Sequence, residues 1–299
     1  MSPPRKPRSA RLSPQGAKKL LGRPGEFLAT IDEALAIARE AIPAAEARLL
    51  LGFVLARPRA WLAAHGEAVL DEDHVREFAG MAARRIAGEP VAYLVGLREF
   101  YGREFEVAPG VLIPRPETEL LVDVAKTKVS RGETARVLDL GAGSGCIAIM
   151  IALELGGEVT AVDVSPAALA VARGNAARLG ADVAFVESDW FSAVGGTFDL
   201  VVANPPYIAE GDPQLSQGDL RFEPVGALAS GVDGLDAIRI IIAEAPRHLA
   251  LGGWLFIEHG YDQAAAVRAL LEAAGFTDTE QHRDLAGIVR VSGGRRPAA

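Results

Sequence analysis

The second half of the chain alternates between two kinds of apolar segment, and this alternation restricts the possible folds more than any other feature of the sequence. Short apolar runs are predicted as strands at residues 135–139, 158–162, 183–187, 198–203 and 253–258, with a final pair near 277–283 and 287–292. Segments of helical character are predicted at residues 145–155, 166–178, 233–249 and 262–274. Such alternation predicts an α/β fold built on a doubly wound, mainly parallel sheet.

The region before this alternation is predicted to be helical. Apolar residues recur at helical spacing from residue 27 to 37 and from 47 to 54. Asp71 or Asp73 is the expected N-cap of a further helix. Residues 26–90 are therefore predicted as a small helical domain with no chemistry of its own.

A β pattern joins this helical region to the α/β region. Residues 91–113 contain two candidate strands, at 91–95 and 105–107, with Gly102 between them. We interpret the segment as a hairpin linker. The second domain is then expected to span residues 114–299.

The charge of the chain is unevenly distributed. The net charge is −8, but residues 1–25 hold seven of the 31 basic residues and no acidic one. The remaining 24 basic residues face 39 acidic ones, which gives the body a net charge of −15. Enzymes that bind DNA or RNA normally carry a basic footprint, so no direct contact with nucleic acid is expected. The tail itself is interpreted as a disordered extension, with a nucleic-acid contact as the alternative.

Three further features indicate the compartment. Cys146 is the single cysteine, which excludes an internal disulfide and disfavours a zinc cluster. No apolar run reaches the ~18 residues of a membrane span. A signal peptide requires an apolar segment after its basic N-terminal stretch, and no such segment follows the basic residues here. We therefore expect a cytoplasmic protein that contacts no membrane and binds no metal.

A glycine-rich turn follows the first strand of the α/β region. The sequence Asp139-Leu-Gly141-Ala142-Gly143-Ser144-Gly145 permits a tight turn and a close approach of a ligand to the backbone. Enzymes that use nicotinamide cofactors have a similar turn, but their third glycine would fall at position 146, which is Cys. The spacing resembles the S-adenosylmethionine (AdoMet) turn of class I methyltransferases, so residues 141–145 are candidate cofactor ligands.

The next two strands also end in polar residues. Asp163 is expected to accept hydrogen bonds from both ribose hydroxyls of an adenosine cofactor. Ser188 and Asp189 are candidates to bind the adenine amino group. Trp190 is expected either to cover the adenosine or to pack in the core.

The fourth strand runs into Asn204-Pro205-Pro206-Tyr207. Two consecutive prolines have fixed φ and no N–H group, so they end the strand in a stiff turn. Carboxyl ends of strands are where open α/β sheets bind ligands. An Asn amide, donor-free peptide units and a Tyr ring at that place favour a planar amide or amino group as substrate.

Together these motifs resemble one family, the HemK-type (PrmC) glutamine N5-methyltransferases that modify peptide-chain release factors. The resemblance covers about residues 27–292. Its most restrictive segment runs from Leu112 to Glu119, Leu-Ile-Pro-Arg-Pro-Glu-Thr-Glu, and the basic N-terminal tail departs from the family pattern. Other matching segments are Glu89-Pro90-x-x-Tyr93, Phe100-Tyr101-Gly102, Phe222-Glu223-Pro224, Asp233-Gly234-Leu235, Glu258-x-Gly260-x-x-Gln263 and Asp284-x-x-Gly287-x-x-Arg290.

The resemblance implies a class I methyltransferase-like, seven-stranded sheet with a helical N-terminal domain that helps to dock the substrate. It implies AdoMet as methyl donor and the glutamine of the Gly-Gly-Gln motif of class I release factors as acceptor. The protein partner is therefore a release factor, and we expect the enzyme to be a monomer.

In that reaction Asn204, Pro205 and Tyr207 are the expected catalytic residues, and Asn204 is also an expected contact of the cofactor. The side-chain oxygen of Asn204 and the backbone carbonyl of Pro205 would accept the two N–H groups of the glutamine amide. Tyr207 would pack on the plane of that amide, with Pro206 also in contact. Arg115 has two equally weighted expected roles, a contact with the substrate and a structural ion pair. Most of the rate enhancement is assigned to positioning, and no general base is expected.

Other functions remain open from the sequence. Adenine and guanine amino-methyltransferases share the Asn-Pro-Pro-Tyr tetrapeptide, so a nucleic-acid methyltransferase is the second hypothesis. An inactive AdoMet-binding partner of the translation apparatus is a third, and a nicotinamide-dependent oxidoreductase is the least favoured. His259 lies beside Glu258, but the sequence around it lacks metal-ligand spacing, so we expect a packed or solvated histidine.

Overall fold

The computed structural model describes residues 29–129 and 134–298. The basic tail predicted for residues 1–25 therefore lies outside the described residues. The chain divides into two compact units between Val95 and Gly96, five residues after the expected boundary. Among the described residues, no helix combines the length and the apolar character needed to cross a membrane.

The first unit is helical. Its helices are α1 (Ile31–Ala38), α2 (Ala44–Val54), α3 (Arg59–Ala64), α4 (Glu72–Ile86) and α5 (Val91–Val95). Asp71, one of the two candidate caps, begins α4 by accepting a 2.8 Å hydrogen bond from the backbone N–H of His74. The predicted apolar stripes meet in one core, where Leu50, Leu51 and Phe78 are fully buried.

Helix α5 corrects a prediction, because residues 91–95 were expected to form a strand. The carbonyl of Pro90 accepts hydrogen bonds from the N–H groups of Tyr93 (3.0 Å) and Leu94 (3.1 Å). A proline favours the first turn of a helix, since its φ is already helical and it needs no hydrogen-bond acceptor. The β-branched residues Val91 and Val95 suggested a strand, but five residues are too few for periodicity to distinguish the two.

The second unit begins with the hairpin. Strands β1 (Leu97–Phe100) and β2 (Arg103–Glu106) pair antiparallel. Tyr101 and Gly102 connect them with φ values of +53° and +72°. Positive φ at both central residues is the geometry that matches the twist of a two-residue hairpin.

A seven-stranded sheet forms the centre of this unit, with strand order β5-β4-β3-β6-β7-β9-β8. Strands β3 to β7 are parallel, and β9 is antiparallel to both β7 and β8. The strands are β3 (Arg136–Leu140), β4 (Glu158–Asp163), β5 (Ala184–Glu187), β6 (Phe198–Ala203), β7 (Leu249–Glu258), β8 (Thr277–Arg283) and β9 (Val289–Arg295). The helices are α6 (Glu119–Lys128), α7 (Cys146–Leu155), α8 (Pro166–Leu179), α9 (Asp236–His248) and α10 (Ala264–Ala273).

Separate apolar cores cover the two faces of the sheet. On β3, Val137 belongs to the core that contains α7, whereas Leu138 and Leu140 belong to the core that contains α9 and α10. Strands buried on both faces read as continuous apolar runs. This burial explains why the sequence pattern located the central strands.

The order of the strands places a ligand site beside β3. The chain passes from β3 to β4 and β5, then returns to β6 on the other side of β3. Such a reversal opens a crevice at the carboxyl ends of the two central strands. Leu140 and Ala203 are register partners, so the glycine-rich turn and the Asn204 turn begin side by side.

Candidate active site

A cavity of about 290 Å³ lies at this carboxyl edge. Its volume is close to the lower limit of typical small-molecule sites. The predicted cofactor residues Gly141, Ala142, Gly143, Ser144, Asp163, Ser188, Asp189, Trp190 and Asn204 all line it, as do the predicted substrate residues Arg115, Pro205 and Pro206. The structure thus brings together residues from four different strand ends, whose functional roles remain predictions.

The glycine-rich turn forms one wall of the cavity. Gly141 and Gly143 have φ values of +80° and +54° and line the cavity, so their backbone can approach a ligand without Cβ atoms. Gly145 does not line the cavity but packs against α8. A Cβ atom at Gly145 would lie 3.0 Å from both the Ala172 Cβ and the Ile149 Cδ1 atoms.

Asp163 connects the end of β4 to this turn. One carboxylate oxygen accepts a 2.8 Å hydrogen bond from the Gly143 N–H, and the other accepts a 2.8 Å bond from the Ser165 N–H. Each oxygen keeps a second lone pair for another donor. Asp163 therefore shapes the glycine turn and retains acceptors for the predicted ribose contact.

The residues after β5 differ in how free they are to bind a ligand. The Ser188 hydroxyl donates to the Trp190 carbonyl (2.8 Å) and accepts from the Ala193 N–H (2.9 Å), so it is engaged within its own turn. Asp189 is exposed. The Trp190 ring lies over the glycine turn, 3.8 Å from where a Gly141 Cβ atom would stand. Asp189 is thus the freer acceptor for the predicted adenine contact.

The Asn204 turn lies beside the glycine turn and also borders the cavity. The side-chain nitrogen of Asn204 donates a 3.1 Å hydrogen bond to the hydroxyl of Thr118, which is buried and also lines the cavity. This bond fixes the orientation of the amide, so its oxygen is the end left for a ligand. Pro205 and Pro206 add backbone carbonyls without competing N–H groups.

Tyr207 is held by two hydrogen bonds and does not line the cavity. Its hydroxyl donates a 3.3 Å hydrogen bond to Glu258, and its carbonyl accepts a 2.9 Å bond from the Gln263 side chain. Burial is the main cause that raises the pKa of the phenol above its ordinary value. Tyr207 packs against the core on the α9 and α10 face and does not line the cavity, so the expected stacking on a substrate amide is absent from this arrangement.

Two carboxylates are buried beneath the site. Glu258 ends β7 and Asp139 lies on β3, and both are almost fully buried. Burial raises the pKa of each carboxyl to about 7. In Asp139 one oxygen accepts a 3.2 Å bond from the Ala148 N–H, whereas the other has no partner among the described residues.

Arg115 forms the ion pair that was one of its two expected roles. Its guanidinium lies 2.5 Å from a carboxylate oxygen of Glu223, whose side chain is fully buried. The other Glu223 oxygen accepts a 3.1 Å bond from the Ile113 N–H. Arg115 still lines the cavity, so a substrate contact remains compatible with the ion pair.

Thr118 and Glu258 are the main residues that sequence reasoning left without a role. Both were noted only as members of matching segments, because nothing in a linear pattern shows that Thr118 contacts Asn204. His259 is buried between the Gly260 carbonyl and the Ser292 hydroxyl, which confirms the packed histidine. Within residues 29–129 and 134–298, no group of His, Cys, Asp and Glu has the arrangement of a metal site.

Comparison with known proteins identifies both units. The family model "PrmC N-terminal domain" matches residues 26–96, and "Methyltransferase small domain" matches residues 116–218. A release factor glutamine methyltransferase of Bordetella pertussis is 52% identical over 261 residues, which cover 86% of this chain and 97% of that protein. One of Neisseria gonorrhoeae is 47% identical over 270 residues, covering 89% and 97%.

Solved structures agree on the fold. A methyltransferase from Pyrococcus furiosus superposes with a TM-score of 0.52 and 20% identity over 73% of this chain and 99% of that one. The strand order and the cavity beside the glycine turn thus define a Rossmann-like methyltransferase, a class whose methyl donor is AdoMet. Within that class, the chain belongs to the release factor glutamine methyltransferase family, since its relatives are similar over almost their whole length.

Proposed function

We propose that this enzyme transfers a methyl group from AdoMet to the side-chain amide nitrogen, N5, of the glutamine in the Gly-Gly-Gln motif of class I release factors. The observation that carries the proposal is the fixed orientation of Asn204 at the cavity. Because its amide nitrogen is bonded to Thr118, its oxygen is the group available to accept a hydrogen bond from a substrate N–H.

The residues around the cavity suit AdoMet. The backbone of residues 141–144 allows close approach, Asp163 offers acceptors for ribose hydroxyls, and Asp189 and Trp190 border the space expected for adenine. AdoMet supplies an electrophilic methyl group carried on a sulfonium centre. An apolar wall containing Val111 and Leu112 favours a site with little water, where loss of the sulfonium charge is favourable.

Asn204 and Pro205 are the residues to which we assign activation of the substrate. A carboxamide nitrogen is a weak nucleophile, because its lone pair is delocalised into the carbonyl. Acceptance of both N–H groups by the Asn204 amide oxygen and the Pro205 carbonyl would fix the nitrogen in place. Fixed near-attack geometry can lower a barrier by ~7–11 kcal/mol, so positioning is sufficient for most of the catalysis.

The partner is proposed to be a folded release factor in the cytoplasm, met by a monomeric enzyme. The acidic body, with a net charge of −15 outside residues 1–25, is unsuited to a polyanionic substrate. We assign the helical unit of residues 29–95 to substrate docking. Within these residues there is no buried polar cluster that would suggest a second reaction.

Labelled AdoMet separates this function from its main alternative. We would incubate the enzyme with AdoMet carrying a labelled methyl group and offer a class I release factor, ribosomal RNA and DNA in separate reactions. Label in the release factor supports the proposal. Label only in a nucleic acid would establish the amino-methyltransferase alternative, and AdoMet binding without transfer to any of them would favour an inactive binding protein.

A further inference from the structure

We propose that Thr118 acts as a positioning residue that keeps the amide oxygen, and not the amide nitrogen, of Asn204 turned toward the substrate. The inference rests on the proposed function, because it explains how the acceptor for the substrate N–H is fixed. It concerns a residue that acts through Asn204 and need not touch the reacting atoms.

The first step of the argument concerns Thr118. Its side chain is 2% exposed, and its hydroxyl accepts the 3.1 Å hydrogen bond from the Asn204 amide nitrogen. A hydroxyl has a single hydrogen to donate. If that hydrogen pointed at Asn204, the amide would have to rotate and present its oxygen to Thr118, leaving its N–H₂ group toward the cavity. The direction of this one hydrogen therefore decides which end of Asn204 meets the substrate.

The second step concerns the other end of the proline turn. The Tyr207 hydroxyl donates to the buried carboxylate of Glu258, and the Tyr207 carbonyl accepts from the Gln263 side chain. These two bonds anchor the turn beyond Pro206. Loss of the Thr118 hydroxyl is therefore expected to free the Asn204 amide to rotate without releasing the turn that carries it.

The test is a double-mutant cycle between Thr118 and Asn204. Thr118→Val removes the hydroxyl with little change in shape, Thr118→Ser keeps it, and Thr197→Val is the matched control at an exposed threonine. We expect Thr118→Val to lower kcat by ~30-fold, through misplacement of Asn204. The KM for release factor and the Kd for AdoMet should change by less than ~3-fold, and Thr118→Ser should recover most of kcat.

The cycle separates positioning from a general structural role. If Thr118 acts only through Asn204, adding Thr118→Val to Asn204→Ala should cause no further loss of kcat. Losses that multiply in the double mutant, or a Thr118→Val enzyme with normal kcat, would overturn the inference while leaving the proposed function intact. An absence of transfer by the wild-type enzyme would instead overturn both.

Thr118→Ala provides a second variant if Thr118→Val fails to fold. It removes the same hydroxyl and leaves a smaller side chain. We expect kcat to fall at least ~10-fold in this variant, with no additional loss in the Asn204→Ala background. Unchanged kcat in Thr118→Ala would contradict the role given to the hydroxyl.

Discussion

The buried Glu223 carboxylate holds the Arg115 guanidinium at 2.5 Å, although 108 residues separate the two in the chain. Through this pair and the bond to Ile113, the loop after β6 is fastened to the segment before α6. Both segments border the cavity. The ion pair is therefore part of the wall that holds the substrate residues in place.

Glu223→Ala is expected to destabilise this wall. The change leaves the Arg115 charge and the Ile113 N–H without their acceptor, and breaking a buried pair typically costs ~3–5 kcal/mol. Because the Arg115 side chain is 29% exposed, we expect a smaller loss of about 2 kcal/mol in the free energy of unfolding. Urea denaturation measures it, with Glu210→Ala at an exposed position as control. Equal stability of the two variants would contradict the structural role.

Gly145 and Gly180 allow the effect of crowding to be separated from that of backbone strain. Their φ values are +81° and +72°, so Ala at either position is strained by about 1–2 kcal/mol. Only at Gly145 would the new Cβ atom meet neighbours at 3.0 Å; at Gly180 it meets none within 4 Å. We expect Gly145→Ala to lower the melting temperature more than Gly180→Ala and to weaken AdoMet binding as well. Calorimetry measures the two melting temperatures. A lower melting temperature for Gly180→Ala than for Gly145→Ala would contradict the packing of Gly145 against α8.

Asp163→Ala should affect the binding of AdoMet before that of the protein substrate. The variant loses an acceptor for the Gly143 N–H and the predicted acceptor for ribose. Hydrogen bonds to charged groups contribute ~1.5–3 kcal/mol, so the Kd for AdoMet should rise by at least ~10-fold. Isothermal titration calorimetry measures this change, and Asp182→Ala at an exposed loop is the control. A Kd like that of the wild type would remove Asp163 from the site.

Asp139 should make stability depend on pH in a direction opposite to that of most carboxylates. Burial raises its pKa from 3.8 to about 7, so the folded state holds the proton more tightly than the unfolded state. The contribution of Asp139 to the free energy of unfolding is then greatest below pH 3.8 and falls as the pH rises to about 7. Asp139→Asn lacks this group and should gain stability over the wild type across that window. The control is Asp182→Asn at an exposed position, for which the difference in stability from the wild type should not change with pH. The same constant difference for Asp139→Asn would contradict the effect of burial on Asp139.

The sequence located the parallel strands because both faces of the sheet are buried, which leaves long apolar runs. It placed β7 four residues late, at 253 and not at Leu249, because Gly252 and Gly253 interrupt the run where the pairing of β6 with β7 shifts register. The N-cap at Ser165, whose side chain accepts from the Ala168 N–H, is a local signal. Such a signal can be recognised in the sequence because the two residues that form the hydrogen bond are only three positions apart.

Other features depend on contacts that no local pattern encodes. The direction of Tyr207 is set by Glu258, 51 residues further along the chain, and that of Asn204 by Thr118, 86 residues before it. The motif around Asn204 indicated an amide-binding turn. It could not indicate that the Tyr207 ring would pack against the core while Asn204 and the two prolines lined the cavity.

Asn204→Ala gives the kinetic signature of the proposed mechanism. Loss of the acceptor for the substrate N–H should lower kcat at least ~100-fold, whereas the Kd for AdoMet should remain within ~3-fold of that of the wild type. Single-turnover methyl transfer and equilibrium binding together separate these two effects. Retained transfer in this variant would remove Asn204 from the catalytic role.

The most direct test of the account is tandem mass spectrometry of a class I release factor after incubation with the wild-type enzyme and AdoMet. The account predicts a gain in mass of one methyl group on the glutamine of the Gly-Gly-Gln motif, with no such gain when Asn204→Ala replaces the wild type. A methyl group on any other residue, or an unmodified motif after complete reaction, would contradict it.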